Sequence, residues 1–414
     1  MHKLKRNKMK SAIYLLFALL LAGCTYDKQP LVSNPQPDPS QLPESQFVAS
    51  NNNFAFKLFQ AVHRARPDSN IFISPFSVSM ALGMTLNGAD STTFEQIRSV
   101  LGFENYDLQA INHTYQNYFT QLTGIDEKVV FEIANSIWYA RSFAVLPSFL
   151  DVNHQFFNAQ VYQADFANPQ TVNLINNWVA EKTRGKISSI ISYIPREALM
   201  YLINAIYFKG NWTYTFDPKF TQDWDFETLK EAQAPCKMMF VTKKFPHYVS
   251  ERLQMVQLPY GNGHFNMAVI VPGKAIDFSD FVDSFNCSDW QSWLKGSQID
   301  SGTVGLPRIK MGFSMVLNDL LKQMGMTDAF NPLKANFDRL SPEKGVFINV
   351  VKHKTFLEVN EQGTEAAGVT LVGFGRTANS DFFEMIAQRP FLFVIFEKDS
   401  GAILFMGQMV KPEE

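Results

Sequence analysis

Two groups of residues in this chain have the types and spacing found in catalytic sites. Ser74 and His353 could act as nucleophile and base in hydrolysis, and the run from Gly373 to Ala378 matches a dinucleotide-binding fingerprint. That fingerprint needs a helix directly after it, and residues 379–383 do not predict one. A histidine in an apolar strand is more often a hydrogen-bonded core residue, and the chain has no Gly-x-Ser-x-Gly, His-Glu-x-x-His or phosphate-loop motif. We therefore predict that the protein is not an enzyme and has no metal or cofactor.

The most informative segment runs from Glu361 to Thr370 and reads Glu-Gln-Gly-Thr-Glu-Ala-Ala-Gly-Val-Thr. It follows an apolar, β-branched run and precedes a strand-like run that opens at Arg389. From Thr364 onward its side chains are small or short, and no proline occurs in it before Pro390, so nothing prevents it from joining a strand ladder. Such a segment can be a loop in one state and a strand in another.

Several segments between about residues 51 and 412 resemble landmarks of the serpins, the serine protease inhibitor superfamily. Segment 361–370 resembles the hinge of the serpin reactive loop. The other matching segments are residues 70–79 (Asn-Ile-Phe-Ile-Ser-Pro-Phe-Ser-Val-Ser), 177–187, 204–212, 324–330 and 405–412. The resemblance implies an α+β fold, with one large domain, three β-sheets, about eight or nine helices and an exposed reactive loop at about residues 361–388.

The resemblance also implies suicide inhibition of proteases. A target protease would cut the loop and form an acyl-enzyme, and the cut loop would then insert into the main sheet as a new strand and trap the enzyme. Val369 is bulkier than the usual alanine, which favours the alternative of a non-inhibitory serpin that acts as a binding or chaperone-like module. The hinge residues implied are Glu361, Gly363, Thr364, Glu365, Ala366, Ala367 and Gly368.

The family register places the cut sixteen positions after Glu361, at the bond between Thr377 and Ala378. The bond between Arg376 and Thr377 is an alternative, because the stretch from residue 378 to residue 389 is about two residues longer than the common pattern. Arginine suits trypsin-like proteases, and threonine suits elastase-like or subtilisin-like proteases. Cysteine proteases are further candidate targets, and the resemblance implies a monomer.

Four polar residues match the serpin shutter, which lies under the centre of the main sheet. They are Ser74, Ser77, Asn204 and His353. We expect them to be hydrogen-bonded, because an unpaired buried polar group costs about 1–3 kcal/mol. Trp212 matches the tryptophan of the serpin breach, where the loop begins to enter the sheet.

The first 46 residues predict a lipoprotein signal and a tether rather than part of the fold. A basic start and an apolar run over residues 12–21 are followed by Leu-Ala-Gly-Cys, which resembles a bacterial lipobox ending at Cys24. We expect residues 1–23 to be removed and Cys24 to carry lipid. Residues 24–46 are rich in proline and polar residues, as in an extended tether. The domain, residues 47–414, would then be anchored to the bacterial cell envelope, at the outer-membrane surface or the periplasmic face.

The composition predicts a large hydrophobic core. It gives no indication of a highly charged binding partner such as nucleic acid. The chain of 414 residues is 46% hydrophobic and carries a net charge of -2, so no global field attracts nucleic acid. Apart from Cys24 it has two cysteines, Cys236 and Cys287, which we expect to be unpaired thiols, although one disulfide is arithmetically possible.

Hydrophobic periodicity predicts a mixture of helices and strands. Thr92 and Glu95 are predicted to form a capping box, and Gly261 and Gly263 predict a hairpin turn. The predicted helices cover residues 54–64, 76–86, 108–122, 147–157, 278–285 and 315–324, and the predicted strands cover residues 129–140, 199–208, 345–360, 391–397 and 402–410.

Overall fold

The computed structural model describes residues 45–230, 232–364 and 382–412. Within these ranges the chain forms nine α-helices and fifteen strands. The helices are α1 (Ser45–Ala65), α2 (Pro75–Leu86), α3 (Ser91–Val100), α4 (Leu108–Leu122), α5 (Pro147–Phe157), α6 (Gln170–Lys182), α7 (Phe278–Ser284), α8 (Cys287–Gly296) and α9 (Asn318–Gln323). The α+β class and the expected number of helices are therefore confirmed.

The strands form two hydrogen-bonded sheets in the described part of the chain. The strands are β1 (Ile71–Ile73), β2 (Val129–Ala140), β3 (Gln160–Ala164), β4 (Met200–Asn211), β5 (Gln222–Glu227), β6 (Gln233–Val249), β7 (Leu253–Tyr260), β8 (Phe265–Pro272), β9 (Gln298–Pro307), β10 (Ile309–Val316), β11 (Lys352–Asn360), β12 (Gly363–Thr364), β13 (Phe383–Ile386), β14 (Phe391–Glu397) and β15 (Ile403–Met409).

The smaller sheet has six strands in the order β10-β11-β12-β4-β2-β3. Its pairs are antiparallel, except that β3 runs parallel to β2. The two-residue strand β12 lies between β11 and β4. Strands β11 and β4 do not pair with each other along their described lengths, so β12 is their one shared neighbour in the described part of the chain.

The larger sheet has nine strands, with the path β1-β15-β14-β8-β7-β6-β9-β13 and β5 paired to β6. The resemblance implies three β-sheets, but the described residues form two. The number is lower because the 17-residue strand β6 pairs with β5 and β9 along most of its length and with β7 at its end, which joins all of these strands in one sheet.

The main core contains apolar side chains from both sheets and from the long helices α1 and α2. Helix α2 is almost wholly buried and consists of apolar and small residues, so it can lie beneath the six-stranded sheet. A second, smaller cluster fixes α6 on the other face of that sheet, with Trp138, Trp178 and Ile203 among its members. The sheet is therefore covered on both faces.

The start of the first helix was predicted wrongly. Helix α1 begins at Ser45, because Phe47 and Val48 are buried and extend its apolar face. The predicted tether therefore ends two residues too late, at residue 46.

The predicted capping box before α3 is also wrong. The carboxylate of Asp90 caps this helix by accepting from the backbone N–H of Ser91 at 2.7 Å. Glu95 forms an ion pair with Arg98 instead.

Three further boundaries differ from the periodicity. The predicted helix 315–324 is strand β10 up to Val316 and then the short helix α9. The predicted strand 345–360 begins only at Lys352, so a run of apolar, β-branched residues over 345–351 is not sufficient for pairing. The predicted loop 361–388 contains strand β13, which pairs in parallel with β9 from Phe383 to Ile386.

The described residues group into one compact unit. None of their helices combines the length and apolar character needed to cross a membrane.

Candidate functional site

The site is built around β12, the two-residue strand at one end of the six-stranded sheet. Gly363 lies opposite Asn360 on one side and Asn211 on the other, and Thr364 lies opposite Val359 and Gly210. We predicted that the loop is exposed from its start. That prediction is wrong for Glu361, Gly363 and Thr364, which are buried.

Gly363 can occupy this position only because it has no side chain. A Cβ atom there would lie 2.2 Å from the carbonyl oxygen of Gly210 and 2.6 Å from the Cα of Asn211. Its φ of +146° is also strained for other residues. The close approach of two backbones therefore requires glycine at the start of β12.

Thr364 is fixed by side chains from the opposite sheet. It is 4% exposed, and its hydroxyl lies 2.9 Å from the Tyr260 hydroxyl in a buried hydrogen bond. Tyr260 in turn stacks on Trp212, with ring centroids 4.3 Å apart. The Trp212 indole donates to the carbonyl of Asn360 at 3.0 Å. The start of the loop therefore joins an aromatic cluster between the two sheets.

Glu361 closes the same end of the sheet through a buried carboxylate. It accepts from Arg308 Nε at 2.9 Å and from the Thr221 hydroxyl at 2.7 Å, and it forms an ion pair with the same guanidinium. Burial raises the pKa of Glu361, but these hydrogen bonds and the arginine charge outweigh that effect and hold it below its usual value. The carboxylate therefore stays ionised although it is only 3% exposed.

A second polar cluster lies beneath the middle of the sheet. The backbone N–H of Ser74, just before α2, donates to His353 Nε2 at 3.0 Å. The Ser74 hydroxyl donates to the carbonyl of Leu404 at 2.8 Å and accepts from the N–H of Ser77 at 3.2 Å. His353 is thus tied to the start of α2.

The remaining members of this cluster connect α2 to the other side of the sheet. The Ser77 hydroxyl donates to the side-chain oxygen of Asn204 on β4. The Asn204 amide donates to Asn135 Oδ1 at 2.7 Å, and the Asn135 amide donates to the carbonyl of Phe157 at 2.7 Å. The four predicted residues therefore lie in one hydrogen-bonded cluster that touches both β4 and β11.

Comparison with known proteins decides the family. The family model described as Serpin (serine protease inhibitor) matches residues 49–412. The chain is a serpin. It is 32% identical to the leukocyte elastase inhibitor of Sus scrofa over 381 residues, which covers 89% of this chain and 100% of that one. It is also 32% identical to Serpin B8 of Homo sapiens over 371 residues, covering 88% and 98%.

A solved structure shows the same fold. The native state of the thermophilic serpin tengpin matches this serpin with a TM-score of 0.82 and 29% identity, over 89% of this chain and 95% of that one. The predicted superfamily is therefore confirmed.

Part of the predicted site lies outside the described residues. Glu365, Ala366, Ala367 and Gly368 of the hinge, the candidate bonds at residues 376–378 and the lipidation residue Cys24 all fall there. The roles proposed for them stay predictions. Cys236 and Cys287, which are described, are both free thiols.

Four residues that hold the site together carry no motif that we recognised in the sequence. Asn135 could have been found, because it is a buried polar residue in an apolar strand, as Asn204 is. Tyr260, Arg308 and Thr221 gave no such signal. Each meets its partner across a long stretch of chain, so only the fold brings them together.

We expect Arg308→Gln to destabilise this serpin by about 1–3 kcal/mol, because Glu361 would lose its charged partner while staying buried. Arg339→Gln is the matched control, since Arg339 pairs with Asp90 where both side chains are well exposed, and its loss should cost under about 1 kcal/mol. Urea unfolding of both variants measures the difference. Equal midpoints for the two variants would contradict the importance of the Glu361 contact.

We expect His353 to make stability fall with acidity. Burial lowers the pKa of His353 to about 4, below the 6.5 of an exposed histidine, so protons bind the unfolded chain more tightly. The stabilisation is complete above about pH 6.5 and is lost as the pH falls towards 4. Between pH 7 and 4.5 the wild type should lose about 2 kcal/mol more than His353→Gln, which cannot titrate. Urea midpoints that fall in parallel for the two proteins would refute this.

Proposed function

We propose that this serpin inhibits proteases by suicide trapping, with insertion of the cut loop between β4 and β11. The observation that carries the proposal is β12, a strand that already separates β11 from β4 at one end. Strand addition inside a sheet supplies main-chain hydrogen bonds along both edges of the new strand. The loop therefore needs only to continue in the direction that β12 has begun.

The register of β12 gives the expected length of the inserted strand. Continued without a shift, residues 365–374 would lie opposite residues 209–200 of β4, down to the first residue of that strand. Side chains alternate between the two faces of a strand. Because Thr364 points into the core, the inward positions would be Ala366, Gly368, Thr370, Val372 and Phe374. None of them is charged, and Glu365 would point outward.

A cavity lies where the far half of this strand would pack. Its volume is about 470 Å³, and its lining includes residues 200–205 of β4, residues 352–354 of β11 and residues of α2 between Ser77 and Thr85. Thr370, Val372 and Phe374 would point into this space. Burial of these side chains in the cavity and the added ladder hydrogen bonds would both stabilise the cleaved form.

The chemical steps of trapping begin as in ordinary proteolysis. The protease nucleophile attacks the carbonyl of the cut residue and forms an ester or thioester, and the new amino terminus leaves with the proton. Insertion then carries the acylated protease away from its attack position before water cleaves the bond. Thr377–Ala378 is the bond that we propose, with Arg376–Thr377 as the alternative.

The proposed targets are serine proteases of the elastase-like, subtilisin-like or trypsin-like classes. Thr377 fits a small specificity pocket, and the similarity to leukocyte elastase inhibitors supports the elastase-like class. The test is to mix the serpin with an elastase or with trypsin and run denaturing gels. Trapping predicts a complex that survives SDS and heat and is absent with a protease whose nucleophilic serine is replaced by alanine. Complete cleavage without any stable complex would favour the non-inhibitory alternative.

We also propose that a lipid on Cys24 anchors the inhibitor to the cell envelope through residues 25–44. The lipobox-like sequence supports this, and several acyl chains on one cysteine would anchor it stably where one would not. Full-length protein produced in bacteria should partition into the detergent phase of Triton X-114, and Cys24→Ser should partition into the aqueous phase. Cys236→Ser is the matched control, and identical behaviour of all three proteins would overturn the proposal.

A further inference from the structure

A short segment after helix α6 crosses the outer face of the six-stranded sheet, where β4 and β11 do not pair. On the β4 side, the guanidinium of Arg184 donates to Glu132 of β2 at 2.7 Å and lies over the ring of Tyr207 of β4, 5.2 Å from its centroid. Glu132 and Tyr207 are directly opposite each other in the sheet. Arg184 therefore fixes the segment to the pair of strands on one side of the gap.

On the β11 side, the same segment is held by Lys186. Its ammonium group donates to the carboxylate of Glu358 at 3.2 Å and lies over the ring of Phe356, 5.1 Å from the centroid. Both partners belong to β11 and alternate with its buried residues, so they point away from the core. Lys186 therefore holds a positive charge over β11, on the outer face beside the gap.

A second cation lies on the opposite edge of the gap. Lys209 of β4 is half-buried between the buried residues Phe208 and Gly210, so its side chain points outward, as that of Glu358 does on β11. Among the described residues Lys209 takes part in no ion pair. The two edges of the gap therefore carry Lys209 on one side and the pair of Glu358 with Lys186 on the other.

The register of β12 decides which loop residue would lie between these charges. Continued by one residue, the pairing of β12 with both flanking strands places Glu365 directly opposite Lys209 on β4 and Glu358 on β11. Side chains directly opposite each other lie on one face, with Cβ atoms about 4.5–5.5 Å apart. The inserted carboxylate would therefore lie between a lysine and a glutamate, next to Lys186.

The balance of charge at this position depends on the two lysines. Opposite charges on directly opposed residues stabilise a sheet, and like charges destabilise it. Glu358 alone would repel an incoming carboxylate, but Lys186 offsets its charge, as does Lys310 directly opposite it on β10. Lys209 would gain a carboxylate partner only through the insertion. A negative charge at residue 365 is therefore favoured by Lys186 and Lys209 together.

We propose that Lys186 and Lys209 are positioning residues, which form a cationic seat for the carboxylate of Glu365 when the cut loop inserts. The inference rests on the proposed function. Glu365 is the first residue added beyond β12, so the seat favours insertion over hydrolysis before any apolar side chain reaches the cavity. The seat lies on the outer face of the sheet, where salt screens its attraction.

A charge exchange between residues 209 and 365 tests the seat. The ratio of cleaved to trapped serpin, measured on denaturing gels after reaction with an elastase, should rise about three- to tenfold in Lys209→Glu, because carboxylates would then flank Glu365 on both sides. The double variant Lys209→Glu/Glu365→Lys should return to within about twofold of the wild type. The effect of Lys209→Glu should also fall by about half or more in 1 M salt.

Lys352→Glu is the matched control for Lys209→Glu. It makes the same change of charge on the outer face beside the gap, but the register places the apolar Leu371 next to it. It should leave the ratio of cleaved to trapped serpin as in the wild type, alone and in combination with Glu365→Lys it should give no rescue. A wild-type ratio in Lys209→Glu, or a double variant no better than its worse single variant, would overturn the seat.

A second measurement needs no trapped complex. Each full-length variant is nicked within residues 374–378 by a protease that is not trapped, and the guanidinium midpoints of the nicked and intact forms are compared. Lys209→Glu should lower the midpoint of the nicked form and leave that of the intact form unchanged, and Glu365→Lys should restore the nicked form, whereas a merely structural role of Lys209 would affect both forms.

The two measurements separate the seat from the proposed function. If no SDS-stable complex forms with any protease, the proposed function fails, and the midpoints of the nicked proteins still decide the seat. Equal midpoints for nicked wild type and nicked Lys209→Glu would overturn it.

Discussion

Cleavage of the reactive loop should raise the thermal midpoint of this serpin by roughly 10–30 °C. The register of β12 allows about ten more residues to pair with β4, each worth about 0.5–1.5 kcal/mol in net hydrogen bonding. That sum is comparable with the whole stability of a typical domain, 5–15 kcal/mol. Burial of Thr370, Val372 and Phe374 in the cavity beside β4 would add to it. A nick in an ordinary loop frees two chain ends and stabilises nothing.

Differential scanning calorimetry of intact and nicked protein measures this effect. The nick should be made by a protease that cuts within residues 374–378 and is not trapped, and mass spectrometry should verify the bond. The cleaved Thr364→Arg variant is the control, because its strand cannot begin correctly. A midpoint that stays the same or falls in the wild type would mean that the fold gains nothing from the cut loop.

Thr364→Arg should convert the protein from an inhibitor into a substrate. Thr364 is 4% exposed and hydrogen-bonded to Tyr260, so an arginine there would bury an unpaired charge beside an aromatic cluster or expel β12 from the sheet. Insertion would then be slower than deacylation. We expect the stoichiometry of inhibition to rise by at least about tenfold, the equivalent of 1.4 kcal/mol in the competition between the two steps.

Gln362→Arg is the matched control for this substitution. It introduces the same side chain two residues away, at a half-buried position between the buried Glu361 and Gly363. It should leave the stoichiometry within about twofold of the wild type, because a partly exposed cation keeps most of its hydration. Titration of a fixed amount of protease with each variant gives the stoichiometry. Full-strength inhibition by Thr364→Arg would show that this position is not buried on the path to trapping.

The sequence could predict the identity of the hinge but not its placement. The motif from Glu361 to Thr370 and the position of Trp212 were recognisable, because their residue types are constrained by backbone approach and aromatic packing. Burial of Glu361 could not be predicted, because it depends on Arg308, which lies 53 residues earlier in the chain. A local pattern carries no information about such a partner.

Element types were predicted better than element limits, for a physical reason. Residues 345–351 are mostly apolar and β-branched, as in a strand, yet pairing starts only at Lys352, where β10 provides an edge. Similarly, residues 383–386 were expected in the loop, and they form a strand because β9 lies beside them. Whether an extended segment pairs is decided by its neighbour in space. The polar cluster under the sheet was predictable, because buried polar residues in apolar strands need partners.

Hydrogen exchange across residues 366–374 in the purified protease complex tests the central claim most directly. If the cut loop has inserted between β4 and β11, these amides should exchange as slowly as those of β4 in the same complex, since both would lie inside one ladder. The same segment in the complex should then be protected from added proteases. Fast exchange of residues 366–374, in a complex that nevertheless survives SDS, would show that this serpin holds its target without adding the strand and would contradict the account.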